Sequence, residues 1–422
     1  MAQKRADKMG RRWVLLMAGS KTWQNYRHQA NVCHAYQMMH QNGIPDEQIV
    51  VMMYDDIAYN KKNPHPGKII NKPHGSNVYS SVLKDYTKHD VTPENFLAVL
   101  KGNERAVRKN DKLGQKKVLK SGENDTIFVY MADHGSYGVF CFPDSTLHAI
   151  DLINTINEMA SAKKFSKMVI YMESCRSGSM FTHLPNNVHV YTVTASKAKE
   201  PSYACYHDTV LKTYLADAFS AIWMHYNEKV YLDKATFQSQ FDYLKKHVKT
   251  SSPCQFGDMT ISKCPISEFL KNIPKAHQDL GKYLEFMLSD LTPSHEVPFR
   301  ILKHRIDTEA DMDKRQYLKK KYDSLHQRNA QIERAVAAIS QQFSPEVAGG
   351  ADDVDGDYGD AVDLQELKTV AEHFRTTYFN WDEEEIVLSH MHVFARLCAS
   401  GVGVERIIEV MNKVRESCSE FQ

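Results

Sequence analysis

The residue types with most chemistry to offer are one thiol and one imidazole. Cys175 lies in Tyr171-Met172-Glu173-Ser174-Cys175-Arg176-Ser177-Gly178, directly after the apolar run Met168 to Met172. His134 stands just past a second apolar run, Ile127 to Met131, and is followed by Gly135. An imidazole beside a cysteine raises the thiolate fraction, and the resulting imidazolium can protonate a leaving group. Acyl transfer also needs donors for an oxyanion, which the backbone N–H groups of Gly135 and Cys175 can supply. A lone cysteine after a strand is more often a small buried apolar residue. The paired His-Gly at the matching position is what points to nucleophilic catalysis.

The two runs must then lie side by side. Leu147, Ile150, Leu152, Ile153, Ile156 and Met159 recur at roughly helical spacing between them, giving strand, helix, strand,. That order is a right-handed parallel crossover, and residues past the carboxyl ends of neighbouring parallel strands share one rim. Trp13 to Ala18, Ile49 to Tyr54 and Val188 to Val193 read as further strands. The fold class expected is α/β, a sandwich around a mostly parallel sheet, with a loop-rich insert from Ala58 to about Pro93,. Pro274, Pro293 and Pro298 interrupt the stretch from Pro265 to about Arg305, which reads as a connector,. Leu318, Tyr322, Leu325, Asn329, Ile332, Val336, Ile339 and Phe343 then step by fours and threes, predicting a long amphipathic helix,. Helices around 362–375, 384–398 and 403–416 complete an all-α C-terminal region. The acidic stretch before them brushes against a calcium loop, but Tyr358 stands where Gly is needed and Leu364 where Glu is needed,.

Composition narrows the class. With 53 Lys+Arg against 52 Asp+Glu among 422 residues, the net charge of +1 gives no reason to expect a nucleic-acid partner,. No apolar run is long enough for a membrane span. The basic residues Lys4 to Arg12 precede Trp13 to Gly19, a run at the short limit for a signal-peptide core that reads better as a first buried strand,. No leader is visible, and a cytoplasmic chain stays compatible with the sequence. Eight cysteines are too few for a disulfide scaffold, and none sits at metal-ligand spacing, so neither a metal nor another cofactor is expected,. Whether Cys254 pairs with Cys264, and Cys398 with Cys418, is open at this point.

The wording of the motifs is more specific. Asn25-Tyr26-Arg27-His28-Gln29-Ala30, Asn42 to Val50, Asp133-His134-Gly135-Ser136 and Glu173 to Ser179 closely resemble the asparaginyl endopeptidases, or legumains, of the caspase-like cysteine proteases. His373-Phe374-Arg375-Thr376 and Phe379-Asn380-Trp381 look like that family's prodomain. The resemblance implies a basic extension at 1–12, a caspase-like catalytic domain at 13–270, an activation linker at 271–310 and a helical prodomain at 311–422. It makes Cys175 the nucleophile, His134 the base, Asn25 the residue orienting the imidazole, and Gly135 an oxyanion donor. Asp133 matches a position that can form a succinimide and is associated with ligation.

For the specificity pocket the resemblance supplies Arg27 and His28 as donors, Glu173 and Asp217 as acceptors, and Ser202 beside them. An asparagine side chain offers one acceptor and one donor group, so such a pocket needs both kinds of wall. Aspartate, with an ordinary pKa of about 3.9, mimics asparagine only when protonated, so cleavage after Asp belongs to acid. The implied partners are protein and peptide substrates with Asn at the cleaved position, the chain's own prodomain as inhibitor, and cystatin-type inhibitors. The implied setting is endolysosomal or secreted. Two other readings share the His-Gly and Cys arrangement: a related transamidase, and a catalytically silent homologue that works by binding.

The sequence departs from the family in three places. Arg176 follows the nucleophile where an acid is usual, and Ser389 stands where an arginine is common, so Glu383, Glu384 or Glu385 is expected to face Arg176. From Ile273 to Arg328 there is no asparagine, leaving Asp307, Asp311 and Asp313, or Asn272 upstream, as processing positions. The family's prodomain commonly carries two disulfides, and Cys398 and Cys418 match two of the four positions.

Overall fold

The protein is described from a computed structural model, which covers residues 10–110, 114–271, 290–343, 358–382 and 384–417. Asn272, Cys418, Glu383, most of the basic extension and the acidic stretch before Tyr358 lie outside the described residues.

In chain order the first elements are β1 (Arg12–Ala18), α1 (Tyr26–Gln41), β2 (Ile49–Met52), α2 (Pro93–Leu100) and β3 (Thr126–Ala132). A hairpin region follows, β4 (Gly135–Ser136), β5 (Val139–Phe142) and β6 (Ser145–His148), before α3 (Ala149–Ser161) and β7 (Lys167–Glu173). Next come β8 (Val190–Thr194), β9 (Tyr203–Asp208), β10 (Thr213–Asp217), α4 (Ala218–Lys229), α5 (Phe237–His247), β11 (Cys254–Gly257) and β12 (Thr292–Pro293).

The main sheet has the order β11-β8-β7-β3-β1-β2, parallel throughout except for β11. Its strands are continuous apolar runs because both faces are covered, as parallel sheets require. Trp13, Leu15 and Met17 face one core, and Val14, Leu16 and Ala18 the other. The expected α/β sandwich is therefore present, with smaller corrections. The crossover from β3 to β7 carries a hairpin before its helix, and Leu147 belongs to β6 rather than to the helical stripe. Gly138, at φ 68°, makes the turn into that hairpin,. The loop-rich insert after β2 holds no named element until a 3₁₀ turn at Lys88–Asp90.

The C-terminal part is helical as expected: α6 (Val297–Thr308), α7 (Met312–Ser340), α8 (Leu364–Thr377), α9 (His392–Ala399) and α10 (Val404–Ser417). Helix α6 corrects the connector reading. Pro298 occupies its first turn, where a missing N–H costs nothing, so this proline starts a helix,. Helix α7 begins earlier than its apolar stripe because Asp311 caps it, accepting from Lys314 N at 3.0 Å,. The helical region packs on α3 and β5–β6, where Lys368 pairs with Asp151 at 2.9 Å and Trp381 Nε1 donates to Thr146 Oγ1 at 2.8 Å. Its buried residues join the core on that side of the sheet. Cys254 and Cys264 are not joined in a disulfide, and the pairing of Cys398 with Cys418 lies outside the described residues.

Candidate active site

Register brings the chemistry together. Strands β3 and β7 pair with Ala132 opposite Glu173, and Asp133 N donates to Glu173 O at 3.0 Å. His134 and Cys175 therefore leave the sheet at the same level and line one cavity of about 670 Å³ with Gly135 and Arg176. Ser202 N donates to Cys175 Sγ at 3.3 Å and Ser202 Oγ lies 3.6 Å away, so Ser202, expected beside the specificity pocket, also holds the sulfur. Burial pushes the thiol pKa up, and Ser202, Arg176 and Arg27 pull it back. Gly135 cannot carry a side chain, since a Cβ there would lie 2.8 Å from Ser174 Oγ and 2.9 Å from Cys175 O.

His134 Nε2 lies 2.8 Å from Asn25 Oδ1 and 3.1 Å from a carboxylate oxygen of Glu385. Both are acceptors, so this network places a proton on Nε2 and leaves Nδ1 as the basic nitrogen. Asn25 is fixed in turn, its amide donating to Lys21 O at 3.1 Å and to Glu385. Burial disfavours charge on His134, but Glu385, by charge and hydrogen bond, and Asp133 raise its pKa overall. Burial also opposes charge on Glu385, yet His134 and Asn25 hold its pKa down at about 2. With Glu385 in place the imidazolium is favoured, and an imidazolium cannot take the thiol proton.

The remaining expected residues form a buried polar group beneath the rim. Arg27 is fully buried; its Nε donates to Asp217 Oδ1 at 2.8 Å, while its Nη2 has no hydrogen-bond partner. Glu173 Oε2 accepts from Ser220 N at 2.9 Å and Ser220 Oγ at 2.8 Å, at the first turn of α4, while Oε1 has no partner. Asp217 Oδ2 accepts from Asn31 Nδ2 at 2.8 Å. Burial raises the pKa of both acids, more strongly for Glu173, which Asp217 also disfavours as an anion. Helix α1 supplies Arg27, His28 and Asn31, and the ends of β7 and β10 supply the acids.

His28 Nδ1 lies 2.7 Å from Ser20 Oγ and 3.3 Å from Asp133 Oδ1, and its Nε2 is 3.8 Å from Asp217 Oδ2. Burial, Arg27 and His134 hold it neutral, and it hydrogen-bonds Ser20 beside Asp133, whose Oδ1 has no hydrogen-bond partner. Asp133 is buried, with its pKa pushed up to about 8 by desolvation against the pull of His134. His28, Asp133 and His134 also place ligand atoms within 4.8 Å of one another, close enough for a metal ion.

Among the described residues, which exclude Glu383, no acid meets Arg176. Glu385 faces His134, and Glu384 pairs with Arg328 at 2.6 Å. The Arg176 guanidinium donates instead to the carbonyls of Lys199 and Ser389, each at 3.1 Å. Ser136 Oγ donates to Leu388 O at 2.7 Å. The 3₁₀ segment Glu385–His390 thus lies against the rim. Asp307, Asp311 and Asp313 are not part of this site. They are exposed at the α6–α7 connection, Asp307 in α6, Asp313 in α7 and Asp311 between them. Sequence reasoning missed Glu385 as the partner of His134; four successive acids, Asp382 to Glu385, carry no spacing signal to single one out.

A thiol and an oriented imidazole at adjacent parallel strand ends, beside a buried cluster of polar side chains, are the groups a cysteine peptidase needs,. Residues 12–278 match the Peptidase C13 family, and the chain belongs to it. It is 44% identical over 411 residues to legumain from Bos taurus, covering 96% of this chain and 93% of that protein. It is 35% identical over 406 residues to a hemoglobinase from Schistosoma japonicum, covering 96% and 92%. Among solved structures, caspase-1 from Spodoptera frugiperda overlaps with a TM-score of 0.34 at 8% identity, covering 59% of this chain and 86% of that one, a likeness too slight to argue from.

Proposed function

We propose that this endopeptidase cleaves after asparagine, and after aspartate in acid, and that it is a zymogen released by acid-dependent removal of its C-terminal helical region, residues 311–422. The observation that carries the specificity is the pair of unmatched buried atoms, Arg27 Nη2 and Glu173 Oε1. The first is a donor; the second is an acceptor once Glu173 is ionised, a form that burial opposes and a donor from the substrate favours, and unmade hydrogen bonds of this kind are costly until a ligand supplies them,. An asparagine side chain offers its carbonyl to the first and its amide to the second. Protonated aspartic acid reproduces that pattern, and ionised aspartate does not.

Cys175 Sγ attacks the scissile carbonyl as His134 takes its proton, with Asn25 holding the ring. The N–H groups of Gly135 and Cys175 face the developing oxyanion. His134 then protonates the leaving amine, and the thioester passes its acyl group to water, or to an incoming peptide amine in ligation, with Asp133 supporting the latter. Glu385 on His134 supports the latent state, and an endolysosomal or secreted setting suits acid release.

Turnover of an Ala-Ala-Asn reporter after acid treatment tests the whole reading. It is expected to appear only after acid, to disappear in Cys175→Ala, and to extend to the matched Asp reporter only at low pH. Equal cleavage of Asn and Asp reporters at neutral pH would overturn the pocket assignment.

A further inference from the structure

The contacts that hold Glu385–His390 against the rim are of a kind a substrate can reuse. Ser136 Oγ and Arg176 Nη2 donate to the backbone carbonyls of two successive residues, Leu388 and Ser389. Neither contact reads a side chain. Both donors border the nucleophile: Arg176 follows Cys175 directly, and Ser136 is two residues past His134 on β4. Since the imidazole must reach the leaving amine, Ser136 beside the histidine serves the part of the substrate beyond the scissile bond, and Arg176, donating to the next carbonyl of the same segment, extends that row.

Arg176 is unusual in three further ways. Its backbone is left-handed, at φ 56°, a conformation that costs free energy for a non-glycine residue and is held here by Arg176 N donating to Glu200 O at 2.8 Å,. Its guanidinium is largely buried, yet among the described residues no carboxylate pairs with it. Among the described residues, the titratable groups that sense its charge are Cys175, Tyr358, and His295, His390 and His392, which acid can only make positive. Once Ser389 leaves, an arginine fork with a free edge borders the cleft, and carboxylates are its best partners.

We infer that Ser136 and Arg176 form a leaving-side subsite that binds substrate backbone and, through Arg176, selects acidic residues in the first two positions after the cleaved bond. In ligation the same subsite receives the incoming peptide. The inference rests on the proposed roles of Cys175 and His134, and it adds a charge preference that those roles do not require.

The test uses acid-activated full-length protein and quenched-fluorescence peptides that share Ala-Ala-Asn before the bond and carry either Glu-Glu or Lys-Lys after it. At about pH 6 both glutamates are ionised. The kcat/KM ratio of the Glu-Glu to the Lys-Lys peptide is expected to be about tenfold and to shrink in high salt. Reading a ratio within one enzyme removes any general loss of activity in a variant. The ratio should approach one in Arg176→Ala, persist in Arg176→Lys and invert in Arg176→Glu; if Arg176→Glu does not fold, the Ala and Lys variants decide. A ratio near one in the unaltered enzyme, or an undiminished ratio in Arg176→Ala, overturns the subsite while leaving the nucleophile assignment standing. Failure to cut the Ala-Ala-Asn reporter at all overturns both.

Discussion

At the residue scale the proposed selectivity turns on how many donors one carboxylate already satisfies. Glu173 Oε2 accepts two bonds from Ser220, so only Oε1 is left without a partner. In Glu173→Gln the side-chain oxygen must stay on Ser220, which places an NH₂ donor where an asparagine amide would also donate. The Asn reporter should then lose roughly 100-fold or more in kcat/KM, as sites that leave a buried polar group unmatched do. The Asp reporter should gain relative to Asn near neutral pH, because an ionised carboxylate can accept from the new donor. Steady-state assays of the two reporters decide this, and an unchanged Asn/Asp ratio would refute the polarity assigned to Glu173. Arg27, Glu173 and Asp217 were legible in the sequence through their resemblance. Their mutual geometry was not, because a buried charge network is assembled from α1, β7, β10 and α4, elements far apart in the chain. His28 illustrates the limit: the resemblance made it a pocket donor, while its position shows Nδ1 on Ser20 and the ring buried beside Asp133 and Asp217.

Processing belongs to the scale of elements, since a protease needs an extended segment and a helix has to unwind to provide one. Asp307 lies in the last turn of α6 and Asp313 in the first turn of α7, whereas Asp311 sits in the exposed connection between them. N-terminal sequencing of the acid-released fragment should therefore begin at Met312. Asp311→Ala should slow release about tenfold or more, and Asp307→Ala should barely affect it. A fragment beginning at Thr308 or Lys314 would refute the choice. The Asp311 carboxyl is held below its ordinary pKa mainly by the Lys314 N–H it accepts as helix cap, so cleavage after it waits for that cap to open. The sequence showed the long helix through its stripe, yet its start lies upstream of the stripe because a cap, not an apolar contact, sets it. In the same way Pro298 read as a breaker until its place at the head of α6 was known.

The whole molecule decides where acid acts. Glu385 is held at about 2, so its carboxylate stays charged through mild acid, and the raised pKa of His134 makes the pair stronger as pH falls, not weaker. If acid releases the helical region as proposed, the release must come from groups that resist protonation in the closed form. His392 is one: burial, then Arg176, lower its pKa to about 4, although its ring lies 3.0 Å from Ser389 O. His390 and His295 are lowered too, again chiefly by burial. A base whose folded pKa is depressed costs nothing above its free value of about 6.5 and destabilises the closed form progressively as pH falls from there toward about 4. For His392 this reaches up to about 3 kcal/mol. His392→Gln, which keeps a donor and cannot charge, should shift the midpoint of acid activation to lower pH, measured as reporter activity after incubation across pH 3.5 to 7. An unmoved midpoint, with the neutral-pH latency intact, would clear His392 of that role.

By itself the sequence determined the two apolar strands, the crossover between them and the residues at their ends. Local periodicity and the topology of parallel sheets suffice to put a cysteine and a histidine on one rim. Tertiary structure alone decided that Glu385 occupies the imidazole, that Arg176 meets carbonyls in place of an acid, and that Arg27 and Glu173 each keep one polar atom unmatched. Those facts concern hydrogen-bond partners and desolvation across long chain separations, which no local pattern encodes.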